Sequence, residues 1–140
     1  MEIVRRAYES FNRWAAKPGI EPLRDTSLLH PEAEFHTYAD SPEAGVYRGR
    51  DAVIEYNQRL FEQFESVRIE VEELLPAGDR VVVISRQHAV PRAGRAALVV
   101  QVAEVWTIRD GLLAERQAFS TRSKALEAAG LRGEPHADKA

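Results

Sequence analysis

The chain contains no cysteine. That absence removes disulfide frameworks, thiolate nucleophiles and cysteine metal ligands together. It also lacks an excess of positive charge. Nineteen Lys and Arg stand against 22 Asp and Glu, for a formal charge of −3 and a pI near 5.8. Such a balance carries no basic footprint for nucleic acid. No apolar run approaches the ~18 residues that would cross a bilayer, and Met1-Glu2-Ile3-Val4-Arg5-Arg6 is not a charged start leading into an apolar stretch. No repeat and no low-complexity segment interrupts the chain, and no motif calls for a cofactor. What remains is 140 residues, 44% hydrophobic, which read as one soluble, cytoplasmic domain over 1–131 with a disordered polar tail over 132–140.

The informative stretch is Arg80–Ser120. It reads as three strands, Arg80–Val90, Ala96–Ile108 and Leu112–Phe119, the last two joined by an Asp110-Gly111 hairpin turn. Side chains alternate faces along a strand. In the middle strand Leu98, Val100, Val102, Glu104, Trp106 and Ile108 share one face, which sets a carboxylate amid large apolar groups. The opposite face, from Ala97 to Thr107, is smaller but still too apolar for open water, so it packs against something, a second subunit being one candidate. Long strands twist and coil, and a curved sheet has a concave side that helices can close.

Upstream, Ile3, Val4, Ala7, Tyr8, Phe11, Trp14 and Ala15 recur at helical spacing, and Lys17-Pro18-Gly19 stops that helix. A second helix is expected from Pro22, with Leu23, Leu28 and Leu29 facing inward and His30-Pro31 ending it. Residues 33–38 form a short strand and 39–46 a loop. Asp51 caps a third helix with a Val53, Tyr56, Leu60, Phe61, Phe64 stripe. Val67–Leu75 is a strand, and Ser123–Ala129 a short helix. Helices first and antiparallel strands after give an α+β plan.

Four segments carry a family resemblance: Val4-Arg5-Arg6-Ala7-Tyr8-Glu9-Ser10-Phe11-Asn12, Leu29-His30-Pro31-Glu32-Ala33-Glu34-Phe35-His36, Ser41–Val53 and Val105-Trp106-Thr107-Ile108-Arg109-Asp110-Gly111. In this order they resemble the SnoaL-like branch of the nuclear transport factor 2 superfamily, which includes ketosteroid isomerases and limonene-epoxide hydrolases. The resemblance implies a cystatin-like, cone-shaped α+β barrel: a curved antiparallel or mixed sheet whose concave face three N-terminal helices close. It also implies a homodimer through the convex face. The isomerases use a Tyr and a protonated Asp as oxyanion donors and an Asp base. Here Glu104 falls at the protonated Asp, Ala7 at the Tyr, and the base position lies near Thr37, so that mechanism is rejected. The hydrolases' Arg and Asp, two apart on a strand, correspond to Arg86 and His88; their second Asp falls near Gln117 or Ala118.

If the turn at Pro91–Arg95 is symmetric, Arg86, His88 and Glu104 share one cavity. A slip of one residue turns Arg86 and His88 outward. Glu104 is expected to be held protonated by its apolar neighbours, His88 to move a proton, and Arg86 to hold an enolate or carboxylate. Trp14, His36, Tyr38, Tyr56, Leu60, Val102, Trp106 and Arg116 complete the candidate pocket. A three-residue hairpin turn sets Glu104 opposite Arg116, a two-residue turn opposite Gln117. The same groups serve equally as a satisfied, inert ion pair of Glu104 with Arg86 or Arg116. No two ligand-type residues show ligand spacing on one element, so no metal is expected.

These residues support a cofactor-free isomerase, cyclase, hydratase or dehydratase acting on a small apolar carbonyl or epoxide compound. The alternatives are a non-catalytic carrier of a small apolar ligand and a dimerisation module with a vestigial pocket. Cavity volume separates the last from the others, ligand pockets usually spanning ~300–1,000 Å³.

Overall fold

The computed structural model describes residues 2–18, 27–38, 45–92 and 96–131. The elements in chain order are α1 (Glu2–Ala15), β1 (Leu29–Thr37), β2 (Gly45–Arg48), α2 (Arg50–Phe61), β3 (Phe64–Ala77), β4 (Arg80–Pro91), β5 (Leu98–Arg109), β6 (Leu112–Phe119) and α3 (Arg122–Ala128). The six strands form one open sheet in the order β2-β1-β6-β5-β4-β3. All pairings are antiparallel except β1 with β6. Bulges interrupt the β3–β4 ladder between Val71 and Glu73 and the β5–β6 ladder between Thr107 and Ile108. An extra residue on one strand bends it and increases its twist, and these two sites bend the sheet into a half-cone.

Two apolar clusters sit on opposite faces of the sheet. On the concave face, α1 and α2 bury Val4, Tyr8, Ala15, Val53 and Phe61 against Val67, Ile69, Val81, Val83, Trp106 and Leu113. On the convex face α3 buries Ala125 and Leu126 against Val82, Ile84, Ala103, Val105 and Phe119. The small odd-numbered face of β5 thus finds its cover, over Ala103 and Val105, within the same chain. Two described helices close the concave face. The third follows the sheet in sequence, and Thr121 caps it by accepting from the Lys124 amide at 3.1 Å.

α1 is anchored by its polar edge as well as its apolar stripe. β3 is an outer strand, so half of its backbone groups lack a neighbour. Asn12 satisfies one residue of it twice: Nδ2 donates to the Ile69 carbonyl at 2.9 Å and Oδ1 accepts from the Ile69 amide at 2.8 Å. Asn12→Ala should therefore cost about 1–3 kcal/mol, because both Ile69 groups lose their partner at a half-buried site. Urea denaturation of the two proteins checks this; an unchanged midpoint would show that water replaces Asn12 freely.

Several expected boundaries move. Leu29, His30 and Pro31 belong to β1 and not to the end of a helix; most of that expected helix lies outside the described residues, as does the tail. The strand tolerates Pro31 because the β1–β6 register breaks between Leu29 and Glu34. His30, expected as a cap or turn residue, is a strand residue of β1 that accepts from the Glu32 amide and contacts Asp110. Gly45–Arg48 is a strand whose first two residues were expected to end the 39–46 loop. Gly49, at φ 94, occupies the α2 N-cap position in place of Asp51. Phe64 opens β3 instead of extending the α2 stripe.

Candidate functional site: a buried Tyr-Glu-Arg cluster in an apolar cavity

Glu104 is 4% exposed. Its neighbours follow from register. Val83 lies opposite it on β4 and Ala118 opposite it on β6. The bulge in β6 adds one residue, which puts Arg116 opposite Trp106, diagonal to Glu104 and on its face. The Arg116 Nη1 then reaches Glu104 Oε2 at 2.7 Å. From above, α1 turns Tyr8 onto the same carboxylate, and its hydroxyl donates to Glu104 Oε1. Trp106 Nε1 donates to the Tyr8 oxygen at 2.9 Å. The Trp106 ring meets Tyr8 and Phe35 edge-on, and the Arg116 guanidinium lies 4.4 Å from the Phe35 ring centroid.

This pattern fixes the proton inventory. Arg is only a donor, and the Tyr8 oxygen already accepts from an indole, so its own hydrogen goes to Glu104. Both carboxyl oxygens face donors. Glu104 accepts from both Tyr8 and Arg116 here, where a donating acid was expected. Tyr8 is the group held neutral. Burial raises its pKa well above the ordinary 10.0; the charge of Glu104 and the bond to it add, while Trp106 and Arg116 oppose. A folded-state pKa above the unfolded one favours the native state in full below the unfolded value, and that contribution is lost as pH climbs through it. Folding stability of the wild type should thus fall more steeply than that of Tyr8→Phe above about pH 10. Denaturation midpoints collected at rising alkaline pH test this, and parallel slopes would contradict it.

The cluster lines a cavity of about 110 Å³ that opens on one side. Phe11, Ile54, Phe61, Ile69 and Leu113 make its apolar wall, and Ser10, Asn57 and Gln87 add neutral polar groups. The volume lies below the usual ligand-pocket range of ~300–1,000 Å³, and an enclosed cavity of ~150 Å³ takes benzene. A ligand of ten heavy atoms does not fit wholly inside; one of about five or six does. Arg116 Nε is buried and without a partner among the described residues, so a cationic N–H remains to be satisfied.

Of the expected site residues, Glu104, Trp106 and Arg116 line this cavity. Arg86 and His88 do not. They pair with Gln101 and Val99 and share the face of Ile84 and Ala103, one residue out of phase with Glu104. There Arg86 pairs with Glu72 at 3.0 Å and His88 with Glu70 at 2.9 Å, and the bond from His88 holds Glu70 below the ordinary carboxylate value. The inward residue between them is Gln87. His36 also lies on the far face, against Glu34 and Glu115. Tyr38 is exposed just past β1. Tyr56 stacks on Tyr47 at 4.2 Å and hydrogen-bonds Arg116, its pKa raised by burial, but it is not among the residues that line the cavity. Trp14 and Leu60 pack into the core, and Val102 is buried opposite Ser85. Tyr8 was absent from the expected site. Its one trace in the sequence is a phenol hydroxyl within an otherwise apolar helical stripe, beside the Ala7 to which the resemblance pointed.

The architecture is that of the NTF2-like α+β proteins. An NTF2-like protein of unknown function from Burkholderia pseudomallei is 20% identical, with a TM-score of 0.68 over 91% of this chain and 94% of that one. A SnoaL-like protein from Jannaschia sp. is 26% identical, with a TM-score of 0.68 over 93% and 90%. Bal32a, from a soil-derived mobile gene cassette, is 27% identical, with a TM-score of 0.62 over 84% and 85%. The SnoaL-like domain family matches residues 4–116, and the chain belongs to that family. Among curated proteins, none matches its sequence. No helix among the described residues is long and apolar enough to cross a membrane.

Proposed function

We propose that the chain binds a small, mainly apolar molecule with one carbonyl oxygen and moves a proton on it without a cofactor. One observation carries this reading: a carboxylate, a neutral phenol and a guanidinium meet on the wall of an otherwise apolar cavity. Glu104 is the base. The α C–H bond breaks, the proton passes to a Glu104 oxygen, a carbon–carbon double bond forms and the carbonyl becomes an enolate. The unpartnered Arg116 N–H stabilises that oxygen, and the Tyr8 hydroxyl, released from Glu104 as the carboxylate takes the proton, turns to donate to it. Return of the proton to the same or another carbon completes exchange or isomerisation. The Jannaschia relative is described as a SnoaL-like polyketide cyclase, which supports small-molecule chemistry in this fold.

Cyclopentanone, with six heavy atoms, is a fitting probe. In D₂O the protein should accelerate deuterium uptake at its α carbons. Binding without exchange would replace this reading with a second one, a non-catalytic ligand carrier. That alternative is favoured by the full satisfaction of both Glu104 oxygens in the unliganded cluster. The expected homodimer would use the convex sheet surface beyond α3, where Val99 is 59% exposed.

A further inference from the structure

On the convex face, away from the cavity, His36 Nε2 lies 3.1 Å from Glu34 Oε1 and 3.1 Å from Glu115 Oε2. Glu34 and His36 are two apart on β1 and so share a face. Glu115 is the direct register partner of Glu34 on β6. Carboxylates placed opposite one another on neighbouring strands repel, and an imidazole Nε2 has at most one hydrogen to share between them. The cluster is thus short of positive charge at its centre. The outer oxygens are held from outside: Arg48 Nε is 3.4 Å from Glu34 Oε2, and Thr107 Oγ1 is 3.4 Å from Glu115 Oε1. This leaves one oxygen of each carboxylate and one imidazole nitrogen converging within 4.8 Å of one another.

We propose that Glu34, His36 and Glu115 form a site for a divalent transition-metal ion with a preference for nitrogen and oxygen ligands, such as Zn²⁺ or Co²⁺. Bonds of ~2.0–2.1 Å in a tetrahedral or octahedral sphere place neighbouring donor atoms ~2.8–3.4 Å apart, which the two nitrogen–oxygen separations already match. The donors stand on paired strands, so little ordering is required on binding. Arg48 and Thr107 act as outer partners that aim the carboxylates. All three side chains are between a fifth and about a third exposed, which leaves the remaining coordination positions open to water. The spacing rule that led to no metal being expected overlooked that i and i+2 on a strand face the same way.

Titration of the full, untagged chain with ZnCl₂ by calorimetry, and with CoCl₂ by visible absorption, tests the site. One ion per chain is expected, with Kd near ~1–100 μM. His36→Ala and Glu115→Gln should each weaken binding at least ~10-fold, and the cobalt band should change with them. His88→Ala, which removes the other imidazole–carboxylate pair on this face, should leave binding unchanged. Glu34→Gln serves if His36→Ala proves unfolded by circular dichroism. Absence of saturable uptake at ~1 mM metal, or uptake lost in His88→Ala but kept in His36→Ala and Glu115→Gln, overturns the assignment.

Discussion

Replacing Glu104 with glutamine is expected to destabilise the fold by about 3–5 kcal/mol, the range for removing one partner of a buried ion pair. At roughly 3 °C per kcal/mol for a chain of this size, the melting midpoint drops by ~9–15 °C. The amide keeps the shape and one acceptor for Tyr8. Its other end, however, presents N–H groups to Arg116, whose side chain is 13% exposed. A guanidinium left without its counter-charge, one nitrogen of it already unpartnered, is the dominant cost. Arg116→Met should be comparably damaging, since it strands the carboxylate. The double variant Glu104→Leu with Arg116→Met should recover most of the loss, because an apolar pair of similar volume carries no desolvation penalty. The double-mutant cycle measures the coupling directly. If both single variants cost less than about 1 kcal/mol, the pair is behaving as an exposed, screened one, and the picture of a closed charge cluster is wrong.

Tyr8→Phe is expected to slow α-proton exchange by about 10²–10³, the scale for losing one donor to a developing oxyanion. The loss should appear in kcat more than in KM, because the hydroxyl contacts the carbonyl most strongly once charge gathers on oxygen. Folding is affected too. Trp106 loses its acceptor and Glu104 loses a donor, at about 1–3 kcal/mol, so rates are compared at a temperature where both proteins are folded. A variant that keeps full exchange activity would remove Tyr8 from the chemistry and leave it as a buried strut between Trp106 and Glu104.

The strands β4, β5 and β6 and the α1 stripe were legible because their periodicity is strong and their ends are marked by Asp110-Gly111 and Lys17-Pro18. Both turn residues adopt positive φ, 56° at Asp110 and 74° at Gly111, as a tight hairpin requires. The burial of Glu104 followed from its place among Val102, Trp106 and Ile108. Partners across strands were not legible. The side-chain period is two, so one extra residue decides which face meets which. The β4–β5 register set Glu104 opposite Val83 and sent Arg86 and His88 outward. The bulge in β6 defeated both hairpin registers and brought in Arg116 diagonally. Tyr8 was legible as part of the inward stripe of α1, but its meeting with Glu104 depends on where α1 docks along the sheet, which no local pattern gives. β2 is only four residues long, too short for alternation to declare it.

The central claim is that ligands enter the cavity and meet the Tyr8, Glu104 and Arg116 cluster. A two-dimensional NMR titration of the wild-type protein with cyclopentanone reads this at the Trp106 indole N–H, which bonds the Tyr8 oxygen at 2.9 Å. That resonance should shift saturably while the Trp14 indole stays in place. Shifts confined to surface amides, with the Trp106 indole unmoved at saturation, would contradict it.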